Sequence, residues 1–211
     1  MSRGLSSLAW ILAFAVASAG RPAVASPAAV AEFRAFTRDL SALSGRFTQE
    51  VRDKNGRVAR TSVGSFAIAR PGRFRFDYEK PFRQTIVSDG TTVWIHDEDL
   101  NQVTIRKLGD TLSEQPLALL LEPARAEQLF EFKAGPPAGS VGLVLVEPRK
   151  KEAAFSDLVV AMVGREPREL SWRDALLNQN TLRFESVSKN PRLAPELFSF
   201  TPPKGADVLR Q

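Results

Sequence analysis

The stretch Gly64-Ser65-Phe66-Ala67-Ile68-Ala69-Arg70-Pro71-Gly72-Arg73-Phe74-Arg75-Phe76-Asp77-Tyr78 decides how the chain is read. On both sides of Pro71-Gly72, large apolar residues fall on every second position: Phe66 and Ile68 before it, Phe74, Phe76 and Tyr78 after it. A period of two belongs to a half-buried strand, and Pro-Gly is turn chemistry, so two antiparallel strands joined by a tight turn are expected. The aromatics then share an inner face while Arg73, Arg75 and Asp77 face water. Parity leaves open whether that inner face meets core or ligand.

Arg70 breaks the alternation. It has the parity of Phe66 and Ile68, which sends a guanidinium toward the concave side, where a charge needs acceptors. A helix C-terminus offers unpaired carbonyls and the negative end of the helix dipole, and the segment ending near Leu121, before Pro123, is a source of them. The alternative is an arginine that reaches water from the strand end.

Working outward, Phe47, Gln49 and Val51 alternate with Arg46, Thr48, Glu50 and Arg52 ahead of Lys54-Asn55-Gly56, a hairpin turn. Ser26-Pro27 has the form of an N-cap and first helical position, and Val30, Phe33, Thr37 and Leu40 recur at helical spacing, predicting a helix over about 27–43. Downstream, strands are expected over 84–88, 91–96 and 102–107, separated by Asp89-Gly90 and by the polar stretch 97–101. The period changes between Gly109 and Phe132, where 116–121 and 124–130 suit two short helices split at Pro123. Four more strands follow over 141–146, 155–163, 168–173 and 180–188. A sheet of that width curls. The expected fold class is mainly β (α+β): an open, incomplete antiparallel β-barrel of about ten strands with a helical lid over an apolar cavity.

Composition narrows the function. The chain has 211 residues, 43% of them hydrophobic, with 14 Phe against one Tyr, so much of its apolar area carries no hydroxyl in need of a partner. Residues 1–25 have the design of a cleaved signal peptide: Arg3, an apolar run from Leu8 to Ala19, and Ala23-Val24-Ala25 as the processing site. Residues 26–211 are then a single exported, soluble domain, since no later stretch reaches about 18 uninterrupted apolar residues. Loss of Arg3 and Arg21 lowers the formal charge from +5 to +3, a balance too mild for a polyanion partner. The alternating 73–78 stretch is accordingly not read as a nucleic-acid stacking platform. Cys is absent, which excludes disulfides, thiolate metal sites and a lipidated N-terminal cysteine. His96 beside Asp97, Glu98 and Asp99 lacks the spacing of a calcium loop and reads as a solvated hairpin tip. No enzyme, cofactor or metal is expected.

Several stretches in order resemble one family: Arg46-Phe47-Thr48-Gln49-Glu50-Val51, the quoted Gly64-Ser65-Phe66 and Arg70 to Tyr78, Ile86-Val87-Ser88-Asp89-Gly90 with Val93-Trp94, and Phe198-Ser199-Phe200-Thr201-Pro202-Pro203-Lys204-Gly205. Together they resemble the outer-membrane lipoprotein carrier family, LolA, over essentially all of the mature chain. The resemblance implies a periplasmic chaperone that receives lipoprotein acyl chains from an inner-membrane ABC transporter and passes them to an outer-membrane receptor, as a monomer. It implies that Arg70 latches the lid through backbone carbonyls, expected at Leu120 and Leu121, and that Phe74 lies near the cavity mouth. The cavity would be lined by Phe47, Phe66, Ile68, Phe74, Phe76, Trp94, Leu117 and Leu120. The family sometimes has Trp at the position of Phe76. The competing reading is a periplasmic lipid- or lipoprotein-sensing regulatory module on the same fold, for which an extra interaction domain would be expected.

Overall fold

The computed structural model describes residues 27–109, 116, 118–136, 138–149 and 155–211. The expected signal peptide, its processing site and Leu117 lie outside these residues. Helix α1 (Pro27–Arg38) precedes a meander of six strands: β1 (Ala42–Arg52), β2 (Val58–Ala69), β3 (Arg73–Lys80), β4 (Gln84–Asp89), β5 (Thr92–Asp97) and β6 (Gln102–Lys107). Two short helices, α2 (Ala118–Leu121) and α3 (Pro123–Leu129), lead into a second meander: β7 (Phe130–Ala134), β8 (Val141–Pro148), β9 (Phe155–Val163), β10 (Glu166–Asp174) and β11 (Gln179–Lys189). The last of these pairs antiparallel with β1, so both meanders join in one sheet. Strand β12 (Asp207–Arg210) adds parallel to β6.

The order β12-β6-β5-β4-β3-β2-β1-β11-β10-β9-β8-β7 leaves β12 and β7 unpaired with each other, and the sheet stays an open barrel. The segment carrying α2 and α3 must run from the β6 side of the sheet to its β7 edge. That crossing puts helices over the concave face.

The helix expected to reach residue 43 stops at Arg38. Asn190, far along the chain and at φ 56°, accepts from the Ser41 and Ala42 amides at 2.8 and 3.2 Å and donates to the Asp39 carbonyl at 2.9 Å. A side chain that takes the amides a helix would need turns the backbone into β1 instead. Two strands exceed the expected ten. Phe130, expected at the end of a helix, opens β7, where pairing with β8 overrides the local apolar pattern.

Register sorts the side chains into two faces. Across β2 to β5, Phe66, Phe76, Ile86 and Ile95 stand opposite one another in a concave row, and Ile68, Phe74, Ser88 and Val93 form the next. Gly64 makes the close packing of this face possible. A Cβ there would lie 2.1 Å from the Asp77 carbonyl oxygen and 2.9 Å from the Phe47 ring, so only glycine lets that ring lie across the strand.

The convex face of β2 to β5 has its own apolar cover. The C-terminal segment, with a 3-10 turn over Pro195–Phe198, packs Phe198, Leu193 and Leu197 on Ala67 and Ala69. The Arg73 guanidinium lies 5.5 Å from the centre of the Phe198 ring.

Candidate functional site

The site is a covered aromatic interior with one cation at its closed end. Phe47, Phe66, Phe74 and Phe76 are all at most 6% exposed, and Ile68 is fully buried. The rings touch: Phe47 and Phe76 at 5.6 Å between centres, Phe66 and Phe76 stacked at 5.8 Å, Phe74 and Phe76 edge-on at 6.3 Å. Phe184 of β11 joins them, 5.4 Å from Phe66, and sequence reasoning missed it. Parity in β11 would have found it, since Leu182 and Phe184 alternate with Arg183 and Glu185.

Helix α1 contributes Ala29, Phe33 and Phe36 to the same core, Leu40 just beyond it adds to them, and α2 contributes Leu119, Leu120 and Leu121. Gly142 of β8 allows α1 to sit close, since a Cβ there would meet that of Ala29 at 2.7 Å. An exposed bidentate pair joins α1 to α3, Arg34 donating to both carboxylate oxygens of Glu127 at 2.7 and 3.0 Å. Such a pair contributes at most about 1 kcal/mol.

Arg70 bridges both helical covers. Its Nε donates to the Leu120 carbonyl at 2.8 Å, and its Nη1 donates to the Thr37 carbonyl and, at 2.7 Å, to that of Leu40. All three acceptors lie at or just beyond helix C-termini, where carbonyls lack intrahelical partners and the dipole is negative. The Arg70 amide donates to the Ser41 carbonyl at 2.9 Å, which fixes the base of the side chain. Sequence reasoning placed the acceptors on Leu120 and Leu121. The structure puts one on Leu120 and the others on Thr37 and Leu40, while Leu121 serves as a buried core side chain. Backbone acceptors at the end of α1 have no residue signature, which is why they were missed.

The guanidinium is not fully satisfied. Its Nη2 is buried without a hydrogen-bond partner among the described residues, and burial holds its pKa below the ordinary arginine value. A charged group left short of a partner costs free energy, so closure rests on a smaller margin than three charge-assisted bonds suggest.

Two expectations need correction. Trp94 lies on the convex face, 6.4 Å from the Phe200 ring, because Val93 and Ile95 take the inner positions of β5. Phe74, expected near the cavity mouth, is 5% exposed and packed into the core with the residues of the helices. The His96 cluster is also divided. His96 faces Phe200 at 5.6 Å on the convex side, while Asp97 accepts from the Leu100 amide at 3.1 Å to close a turn.

At the end away from Arg70, the concave face turns polar. A groove of about 380 Å³ opens there, lined by Gln49, Arg60, Ser62, Tyr78, Gln84 and Asp97 among others. Tyr78 marks the boundary: its ring lies edge-on to Phe47 at 4.9 Å, and its hydroxyl donates to Gln49 at 2.8 Å. Burial pushes its pKa up to about 12, opposed by the nearby Arg60.

Among the described residues, no helix is long and apolar enough to cross a membrane. Residues 38–201 match the family described as "Outer membrane lipoprotein carrier protein LolA". The chain is 39% identical to the outer-membrane lipoprotein carrier protein of Methylibium petroleiphilum over 202 residues, 96% of this chain and 97% of that protein. It is 36% identical to the protein of the same description from Neisseria meningitidis serogroup B, over 89% of each chain. Among solved structures, a conserved protein of Thermus thermophilus superposes with a TM-score of 0.54 at 15% identity, covering 87% of this chain and 99% of that one.

Proposed function

This chain belongs to the outer membrane lipoprotein carrier family, LolA, and from that premise we propose that it is a periplasmic chaperone for lipoprotein acyl chains. It takes them from an inner-membrane ABC transporter and delivers them to an outer-membrane receptor, acting as a monomer after removal of a leader over residues 1–25. The observation that carries this reading is the aromatic concave face lying under helices that Arg70 ties down from inside. About three acyl chains of roughly fifteen methylenes, at about 0.8 kcal/mol per methylene, would cost on the order of 35 kcal/mol to expose to water. A carrier must therefore bury them, yet bind weakly enough to let go.

The packed interior supports a way to do both. In the described conformation the phenylalanines fill the space between sheet and helices, so cargo enters only by displacing α2 and α3 and separating the rings. Closure competes with loading, and every contact made on closing lowers the net affinity for cargo. Arg70 is the latch in this scheme, with Leu120, Thr37 and Leu40 as its keepers. Phe47, Phe66, Ile68, Phe74 and Phe76 line the acyl site once it opens, and Leu120 moves with the lid. No bond is made or broken in cargo at any step.

The test is mass spectrometry of material that co-purifies with the protein from the periplasm. Acylated lipoproteins are expected. Recovery of only nucleotides, sugars or free peptides would overturn the proposal.

A further inference from the structure

Strand β6 is inverted relative to its neighbours. Register sets Val103 opposite His96 and Ile105 opposite Trp94, on the convex side, where His96 and Trp94 meet Phe200. Its concave side is polar throughout: Gln102, Thr104 and Arg106 stand opposite Asp97, Ile95 and Val93. Arg106 therefore ends the inner row that runs through Ile68, Phe74, Ser88 and Val93 across β2 to β5.

This guanidinium is half-buried, its Nε is buried without a hydrogen-bond partner, and its side chain makes no ion pair among the described residues. Among those residues the one other buried side-chain nitrogen or oxygen left without a partner is Nη2 of Arg70. The two cations differ in their surroundings. Arg70 is turned on three carbonyls at helix ends, and the negative ends of those dipoles offset its charge. Nothing comparable faces Arg106. Asp97, the carboxylate on the inner face of β5, is level with Gln102, four residues or about 13 Å along β6 from Arg106. At that separation the pull between the two charges is weak.

A cation at the end of an apolar row, with a buried donor unmet, costs free energy until a ligand supplies the counter-charge. The ligand must also suit the rest of the row, where Val93, Phe74 and Ile68 are at most 5% exposed. Those two demands describe an acidic head on a hydrocarbon tail. Four strand spacings of about 4.8 Å carry the row about 19 Å from Arg106 to Ile68, enough for a long fatty chain laid across the strands.

We propose that Arg106 is the head-group site for a single-chain acidic amphiphile, a carboxylate or phosphate joined to one tail that lies along Val93, Phe74 and Ile68. Thr104, two residues back on the same face, adds a hydroxyl beside the head. This ligand class differs from the acyl esters and amides of the carrier reading, which are neutral. The inference rests on that reading only for the opening of the helices, without which nothing reaches the inner face.

The test titrates the full mature chain with palmitate, methyl palmitate and lysophosphatidylglycerol, each below its aggregation limit, by displacement of a fluorescent apolar probe. Palmitate and its methyl ester share a tail, so their ratio reads the head alone. At about pH 8, where the free carboxyl is ionised, the wild type should bind palmitate at least about tenfold more tightly than the ester, as a charge-assisted pair predicts. Arg106→Gln should abolish that preference and leave methyl palmitate nearly unchanged, while Arg106→Lys should keep most of it. The lysophospholipid separates the two sources of charge: tighter binding than palmitate assigns the site to phosphate, weaker binding to carboxylate. Equal affinity of the wild type for palmitate and its ester overturns the site and leaves the carrier reading intact. So does a preference that survives Arg106→Gln, or loss of both ligands alike in that variant. A folded wild type that takes up neither the probe nor any of the three lipids overturns the carrier reading, and the site with it.

Discussion

Replacing Arg70 with leucine removes the tie between both helical covers and the sheet while leaving an apolar stem of similar reach. Three hydrogen bonds from a charged donor, at about 1.5–3 kcal/mol each, set the ceiling on what is lost. The guanidinium is only part-buried and one of its nitrogens is buried without a partner, so desolvation cancels much of that sum. A net loss of about 3 kcal/mol from the closed state is the working figure, which shifts the open-to-closed ratio roughly a hundredfold. Because the binding-competent state becomes more populated, apparent cargo affinity rises by up to the same factor and release slows. The assay preloads wild type and variant with an acylated peptide and follows its transfer to excess acceptor vesicles. Arg70→Lys keeps the charge but not the fork that reaches carbonyls on two helices, and should fall between the two. Transfer at the wild-type rate from Arg70→Leu would refute the latch, since an arginine that merely reached water would be dispensable.

Three other outcomes are expected. Phe74→Asp puts a carboxylate into a site that is 5% exposed, and should lower stability in denaturant titration by at least about 3 kcal/mol; a midpoint near that of wild type would mean the position opens freely to water. Gly64→Ala drives a Cβ to 2.1 Å from the Asp77 carbonyl, so a loss of about 3 kcal/mol is expected, and an unchanged midpoint would mean that β2 and β3 part more easily than their register implies. Tyr78 is the chain's one tyrosine, so its ultraviolet titration is unambiguous: tyrosinate should form near pH 12 in the folded protein and near its ordinary value of 10 in denaturant. Its stabilising effect is therefore complete below pH 10 and lost as pH rises from there toward 12, and a folded-state midpoint at 10 would show that the hydroxyl is not buried.

The sequence made the concave face legible because large apolar residues recur there at every second position, with Arg70 as the one exception. Phe66 and Ile68, then Phe74, Phe76 and Tyr78, can be buried together in only one register. Arg70 stood out for the same reason, as a charge in an apolar series. What parity could not resolve was β5, where Val93, Trp94 and Ile95 are all apolar and both faces are covered. The covering of the outer face comes from Phe198 and Phe200, about a hundred residues later, and no local pattern links them to Trp94. The early end of α1 is illegible in the same way, since a side chain at position 190 sets it. Strand β12 is four residues long with no buried residue, too short for any period to be read.

The apolar cover on the outside of β2 to β5 makes the two flanks of the barrel mechanically unequal. One flank is clamped between the phenylalanines within and the C-terminal segment without, and any flexing must break contacts on both surfaces at once. On the other flank the outward side chains include exposed charged pairs such as Arg183 with Glu169 and Lys133 with Glu147, which bend with the strands at little cost. If cargo entry widens the gap between the sheet edges, the movement falls to this second flank, where α1 packs against β7, β8 and β10. Under the proposed cycle the fold would work as a fixed jaw and a moving one, with α1 on the moving jaw and Arg70, rooted in the fixed one, holding it by the carbonyls at its tip.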